Sequence, residues 1–211
     1  ASGLNELQSI VIKNQQIYVF GRSGITRLHD RDNNGEADYY ENFCNLPIQT
    51  AETREFPMDM KLHPDGSFII AKGGQRTQTI NPHAGSVIKV AANGKSIKVI
   101  ADHLREPYLG IDPDNGEIFA SDQQGHWTPA TPFYSIKQGG YHGFIPGFQK
   151  KNKETFSEPI SWLPHRINQS GSGILKIKSK KLAFVNNKFF YLDFNGPSLG
   201  LFYYNSKESS N

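Results

Sequence analysis

Residues 30–41 read Asp-Arg-Asp-Asn-Asn-Gly-Glu-Ala-Asp-Tyr-Tyr-Glu and satisfy the pattern D-x-[DN]-x-[DN]-G-x5-E in every specified place. A hard divalent cation takes about six to eight oxygen ligands. This loop offers them from Asp30, Asp32, Asn34, the Glu36 carbonyl, Asp38 and Glu41, and Gly35 permits the sharp reversal. In a helix–loop–helix hand the flanks would be helical, whereas GRSGITRLH before the loop and YYENF after it are strand-like in composition. The expected role is a calcium ion that stiffens a strand-to-strand connection. The alternative is an acidic turn that needs no ion.

A second concentration of chemistry-bearing side chains surrounds the turn Asp122-Gln123-Gln124-Gly125. His126, Trp127, Tyr134, Tyr141 and His142 set rings beside polar amides, a combination suited to stacking on a sugar or another planar ligand. The competing use of the same rings is packing at a sheet edge. His165 and Arg166, just before a Gln-Ser-Gly-Ser-Gly turn, are candidates to line a channel. His63, His83 and His103 share no motif and are not read as metal ligands. Asn168-Gln169-Ser170 has the form of a glycosylation sequon.

Phosphate-cradling glycine loops, H-E-x-x-H, G-x-S-x-G and Cys–His constellations are absent, so hydrolase and nucleotide-binding classes have no support. Cys44 stands alone, which excludes an internal disulfide, a thiolate zinc site and covalent haem attachment. A formal charge of +3 is small for 211 residues. The densest basic run, Lys176, Lys178, Lys180 and Lys181, largely alternates like the solvent face of a strand, so nucleic acid is not an expected partner. No apolar run approaches the roughly 18 residues of a spanning helix, and direct membrane insertion is not expected. The chain begins at Ala1 rather than Met, which suggests processing or trimming.

Positioning these groups requires many short elements. Gly contributes 20 residues and Pro 12, and no uninterrupted apolar-periodic run reaches the ~12 residues of an ordinary helix, so the fold class is all-β. One phrase, strand–turn–strand–turn–strand, recurs at a spacing of roughly fifty residues, the range of propeller blades. The repeats fall at approximately 8–50, 56–102, 103–149 and 160–205. Asn14-Gln15, Pro64-Asp65-Gly66, Asn93-Gly94 and Pro113-Asp114-Asn115-Gly116 supply the hairpin turns. Residues 1–211 are therefore expected to form a single β-propeller region with about four blades, a partial propeller or part of a larger one.

Three phrases, LHDRDNNGEADYYENF, HLREPYLGIDPDNGEIFASDQQGHWTPATPFYSIKQGGYHGF and EPISWLPH, together resemble the quinoprotein glucose/sorbosone dehydrogenase-like propellers, especially the secreted bacterial relatives often joined to a c-type haem domain. The resemblance implies a six-bladed propeller in an extracytoplasmic, bacterial setting, with a c-type haem partner or fused domain outside this chain. In active members it implies pyrroloquinoline quinone and calcium in a central channel, used for sugar oxidation. On that resemblance Arg105 falls where a cofactor-contacting arginine stands, and Gln123, Gln124 and Gly125 fall at the turn supplying oxygens to the cofactor's calcium. Two positions depart from the pattern. Glu106 replaces an asparagine and sets a carboxylate beside an anionic cofactor, and residues 53–58 hold no histidine where the catalytic one would stand. Glu55 is the group there that could accept a proton from a sugar hydroxyl.

The expectation is thus an extracytoplasmic, non-catalytic propeller module that binds a carbohydrate or a protein partner. The rival expectations are a quinone-dependent sugar dehydrogenase whose remaining blades lie outside this chain, and a calcium-stabilised structural subunit of a secreted assembly. A cofactor-shaped cavity bounded by Arg105, Gln123 and Glu55 would favour the enzyme; exposed rings at Trp127 and Tyr134 would favour the binding module.

Overall fold

A computed structural model describes residues 1–50, 54–75, 81–125, 127–144, 156–196 and 199–204. The first sheet joins β1 (Ser9–Lys13), β2 (Gln16–Gly21), β3 (Gly24–His29) and β4 (Tyr39–Cys44) in that order. Asn14 and Gln15, at φ 50° and 62°, make the left-handed two-residue turn whose twist matches the strands it joins. The second sheet runs β5 (Pro57–Leu62), β6 (Phe68–Lys72), β7 (Val87–Val90) and β8 (Ile97–Asp102). The third contains β9 (Tyr108–Ile111), β10 (Ile118–Ser121) and β11 (Ala130–Ile136).

After β11 the order departs from the repeat spacing. The short β12 (Gly140–Tyr141) leaves the third sheet and pairs parallel with β8, Gly140 opposite Ala101. Its flanks reinforce this, with Gly139 donating to the Ile100 carbonyl at 2.7 Å and Phe144 to that of His103 at 2.8 Å. The open edge of β11 is covered instead by β13 (Ser161–Pro164), which lies beyond the repeat boundary read from the sequence. Local hairpin order fails here because the outer edge of β8 offers unpaired backbone groups that β12 satisfies. The fourth sheet is β14 (Gly171–Lys176), β15 (Phe189–Asp193) and β16 (Leu199–Phe202).

Within the set, β1 lies against β5, β5 against β9 and β9 against β14. The first strand of every sheet therefore faces a common centre, and the architecture is a β-propeller carrying four blade sheets. The second and third sheets bury both faces against neighbours. On β6, Phe68 and Ile70 enter the core shared with the first sheet, and Ile69 and Ala71 enter the core shared with the third. That is the period-two alternation of a strand, each buried Phe or Ile contributing about 1.5–3 kcal/mol. Phe119, Phe133, Ile174, Phe189 and Tyr191 fill the space between the third and fourth sheets. Gly110 makes that contact possible, since a Cβ there would lie 2.4 Å from Ile174 Cγ2.

Polar ties cross the blade boundaries as well. Asp59, 3% exposed, accepts Ser9 Oγ of the first sheet at 2.8 Å and the Leu109 amide of the third at 2.9 Å. Lys176 and Lys178, expected on a solvent face, instead reach across to Asp112 and Asp114 in the β9–β10 turn.

Candidate functional site

The inner ends of the second and third sheets meet at two turns, residues 103–106 and 122–125. Asp122, at the end of β10, is fully buried. Its carboxylate accepts the amides of Arg105 at 2.7 Å, Glu106 at 2.6 Å and Gln123 at 2.9 Å. Burial pushes this carboxyl up to about 6, against the pull of those three donors and of the Arg105 charge. Asp122 thus fixes the backbone from which the flanking functional side chains project.

Arg105 is 5% exposed. Its guanidinium lies 3.6 Å from Glu106 Oε2, and Gln75 spans the pair, its amide oxygen 3.3 Å from Nη1 and its nitrogen donating to Glu106 Oε1 at 2.7 Å. Gly125, at φ +51°, lies directly under the guanidinium, where a Cβ would come within 2.4 Å of Nε. Only glycine combines that conformation with that approach. Burial lowers the arginine's proton affinity and raises that of Glu106. Glu106 also borders a recess of ≈100 Å³ with Met58, Tyr108, Gln123, Ser170 and Phe194.

The two glutamines of the turn do different work. Gln123 donates to Ser170 Oγ at 2.6 Å and leaves Oε1 buried without a protein donor. Gln124 is spent on structure: its Oε1 accepts Thr131 Oγ1 and the Ser170 amide, and its Nε2 meets His165 Nε2 at 2.9 Å. His165 and Arg166 are exposed and line a groove of ≈240 Å³ with Gln169, Asp193 and Asn195. A backbone bond ties that groove to the recess, Phe194 donating to the Ser170 carbonyl at 2.9 Å, and within the groove the Gln169 amide donates to Asp193 Oδ1 at 3.1 Å. The Phe194 ring stands 76% exposed at the junction.

Most of the rings named from the sequence pack inward. Tyr134 is 1% exposed and sits edge-on to the buried His142, ring centres 4.3 Å apart. Tyr141 is 4% exposed and lies against His103. Trp127 is half-buried, edge-on to Phe144 at 5.6 Å. The expectation of an exposed Tyr134 is therefore corrected: β11 alternation turns it into the core between the second and third sheets. His126 lies outside the described residues. Asn168 is fully buried, so the folded chain leaves no room for a glycan on that side chain.

Glu55 is also corrected. It is fully buried, paired with Lys72 Nζ at 2.7 Å and bonded by Thr50 Oγ1 at 2.7 Å and by Asn81. Its carboxylate holds a structural ion pair and does not border the recess. These residues do not fit an anionic tricarboxylate quinone. The arginine that would meet it is already matched by Glu106 and Gln75, and the recess is well below the roughly 300–1,000 Å³ of small-molecule pockets.

The acidic loop folds back on itself. Asp30 accepts the amides of Asn34 at 3.1 Å and Gly35 at 2.9 Å, Asp32 accepts Asn34 Nδ2 at 3.0 Å, and Asn34 accepts the Glu36 amide at 2.7 Å. The Gly35 donor, with the other loop donors, holds Asp30 below the usual carboxylate range. Asp38 accepts the Arg31 amide at 3.3 Å. Glu41 sits on β4 and turns to His29 Nε2 at 2.8 Å and Arg27 at 3.6 Å. Among the described residues no three His, Cys, Asp or Glu side chains converge as a metal site.

The sequence reading named Arg105, Gln123 and Gly125 but missed Gln75, Lys72 and Phe194, which carry no local motif and arrive from other loops. No helix among the described residues is long and apolar enough to cross a membrane.

No protein-family model and no curated protein matches the sequence. Solved structures do match the fold. A glucose dehydrogenase superposes with a TM-score of 0.76 at 14% identity, over 97% of this chain and 71% of its own. A second glucose dehydrogenase gives 0.72 at 14% identity, over 97% and 70%. The soluble aldose sugar dehydrogenase of Escherichia coli in its apo form gives 0.60 at 13% identity, over 91% and 65%. The chain has the β-propeller fold of these sugar dehydrogenases.

Proposed function

We propose that this chain is an extracytoplasmic ligand-binding propeller module, related in fold to quinone-dependent sugar dehydrogenases and not itself catalytic, and that its ligand is a carbohydrate. The observation that carries the reading is the Arg105–Glu106–Gln75 cluster, which neutralises the buried Arg105 beside the turn. With Glu55 also paired, neither Arg105 nor Glu55 is free to act as the anion-accepting cation or the poised base. What is available suits hydroxyl groups. Gln123 Oε1 lacks a donor, Arg166, Asp193 and Asn195 line the adjoining groove, and Phe194 offers a ring face to the C–H face of a sugar. A calcium ion in residues 30–38 would stiffen the first sheet, remote in role from this site.

Thermal unfolding against a panel of neutral mono- and oligosaccharides, alone and with pyrroloquinoline quinone plus calcium, tests the proposal. A saccharide present at about 100 times its Kd adds about 2.7 kcal/mol, and Phe194→Ala and Gln123→Ala should each abolish that rise. Quinone-dependent dye reduction with any sugar would restore the dehydrogenase reading; no saccharide response would leave a structural module.

A further inference from the structure

The carboxylates around the Asp122 turn are engaged by donors of the chain itself. Asp122 accepts three backbone amides, Glu106 is matched by Arg105 and Gln75, and Glu55 holds Lys72. Asp193, in the adjoining groove, turns Oδ1 to the amides of Gln169 and Asn195, both at 3.1 Å. Two arginines stand apart from this pairing. Arg54 and Arg166 are exposed, and neither makes a hydrogen bond or an ion pair among the described residues. Arg54 precedes the buried Glu55, and its charge acts on both Arg105 and Glu106. Glu106 in turn borders the recess with Gln123 and Phe194. Arg166 lines the groove that the Phe194–Ser170 backbone bond ties to that recess.

Resting on the carbohydrate reading above, we infer that the saccharide is acidic: an oligomer containing uronate units, with one carboxylate received by Arg54, another by Arg166, a ring laid on Phe194 and a hydroxyl given to Gln123 Oε1. The two coplanar oxygens of a carboxylate match the donor fork of a guanidinium, and such charge-assisted pairs are stronger than bonds between neutral groups. A neutral saccharide would use either guanidinium only as a donor to hydroxyls. A basic amino sugar would bring like charge to both. Because one arginine belongs to the recess and the other to the groove, a chain of sugars, and not a single ring, engages both. The donor-free Gln123 Oε1 then fixes the register by taking a hydroxyl between the two charged ends.

Titration calorimetry on the full chain, with a chelator present to exclude calcium bridging, compares galacturonate oligomers with the same oligomers methyl-esterified, which keep the rings and lose the charge. The acid form should bind about tenfold more tightly than the ester, and that advantage should shrink as salt is raised. Arg54→Gln and Arg166→Gln should each lower the ratio of acid to ester affinity about threefold, whereas Lys98→Gln, on the exposed side of β8, should leave the ratio unchanged. Equal affinity for acid and ester, or an acid preference that both arginine variants retain, would overturn the inference and leave a carbohydrate-binding module. No binding of acid, ester or any neutral saccharide would remove the inference and the carbohydrate reading together.

Discussion

Asp122 closes its carboxylate onto the backbone amide of Arg105 at 2.7 Å, so the turn that ends one strand sets the backbone that presents the buried arginine. Asparagine would set an N–H against one of the three amide donors. Asp122→Asn should therefore cost about 2–3 kcal/mol, the penalty of a mispaired buried polar group, and should weaken ligand binding in parallel, read by urea unfolding and titration calorimetry.

His142 and Asp122 drive stability in opposite directions over one pH range. Burial depresses His142 from 6.5 to about 4, so its contribution is present above its ordinary value and is lost as pH falls through about 4. Burial raises Asp122 from 3.8 to about 6, so its contribution is fullest below its ordinary value and is lost as pH rises through about 6. At about 1.4 kcal/mol per pH unit the two slopes nearly offset. Urea midpoints from pH 4 to 6.5 should be close to flat in the native chain, should fall with rising pH in His142→Phe, and should rise with pH in Asp122→Asn.

Glu55→Gln leaves Lys72 buried without its counter-charge, and the loss should reach about 3–5 kcal/mol. Replacing both, Glu55→Leu with Lys72→Met, should recover most of it. A catalytic Glu55 would give the reverse pattern, a fold left intact and a turnover lost, so unfolding curves and dye-linked assays on the same samples separate the two.

Calcium should raise the melting temperature through the first sheet. Asp30→Asn should remove that rise, whereas Glu41→Gln should keep it, because Glu41 is held by His29 and Arg27 on the strand. Calorimetric titration of both variants checks this, and equal loss in the two would place Glu41 among the ligands.

The propeller was legible because its signals are local. Asn14-Gln15 and Asn93-Gly94 specify turns by backbone conformation alone, and alternation on β6 sets both cores. The strand exchange after β11 was not legible, since Gly140-Tyr141 and residues 161–164 compete for edges made elsewhere in the chain. The site divides in the same way. Gly125 and Gln123 stand in a recognisable turn, but whether Arg105 is available depends on Gln75, thirty residues upstream. Glu55 read as a possible base because nothing near it in sequence announces Lys72 as its partner.

Asp59 has a consequence for how the chain comes apart. One buried carboxylate accepts donors from the first, second and third sheets and pairs with Lys61 of its own strand, so releasing β1 or β9 takes a donor from a buried charge. Those ties favour opening of the three sheets together, and their amide protons should exchange slowly in hydrogen-exchange measurements. The fourth sheet lies outside that knot, attached by its aromatic layer, two lysine bridges and the bonds of Ser170 to Gln123 and Gln124, and its amides should exchange first.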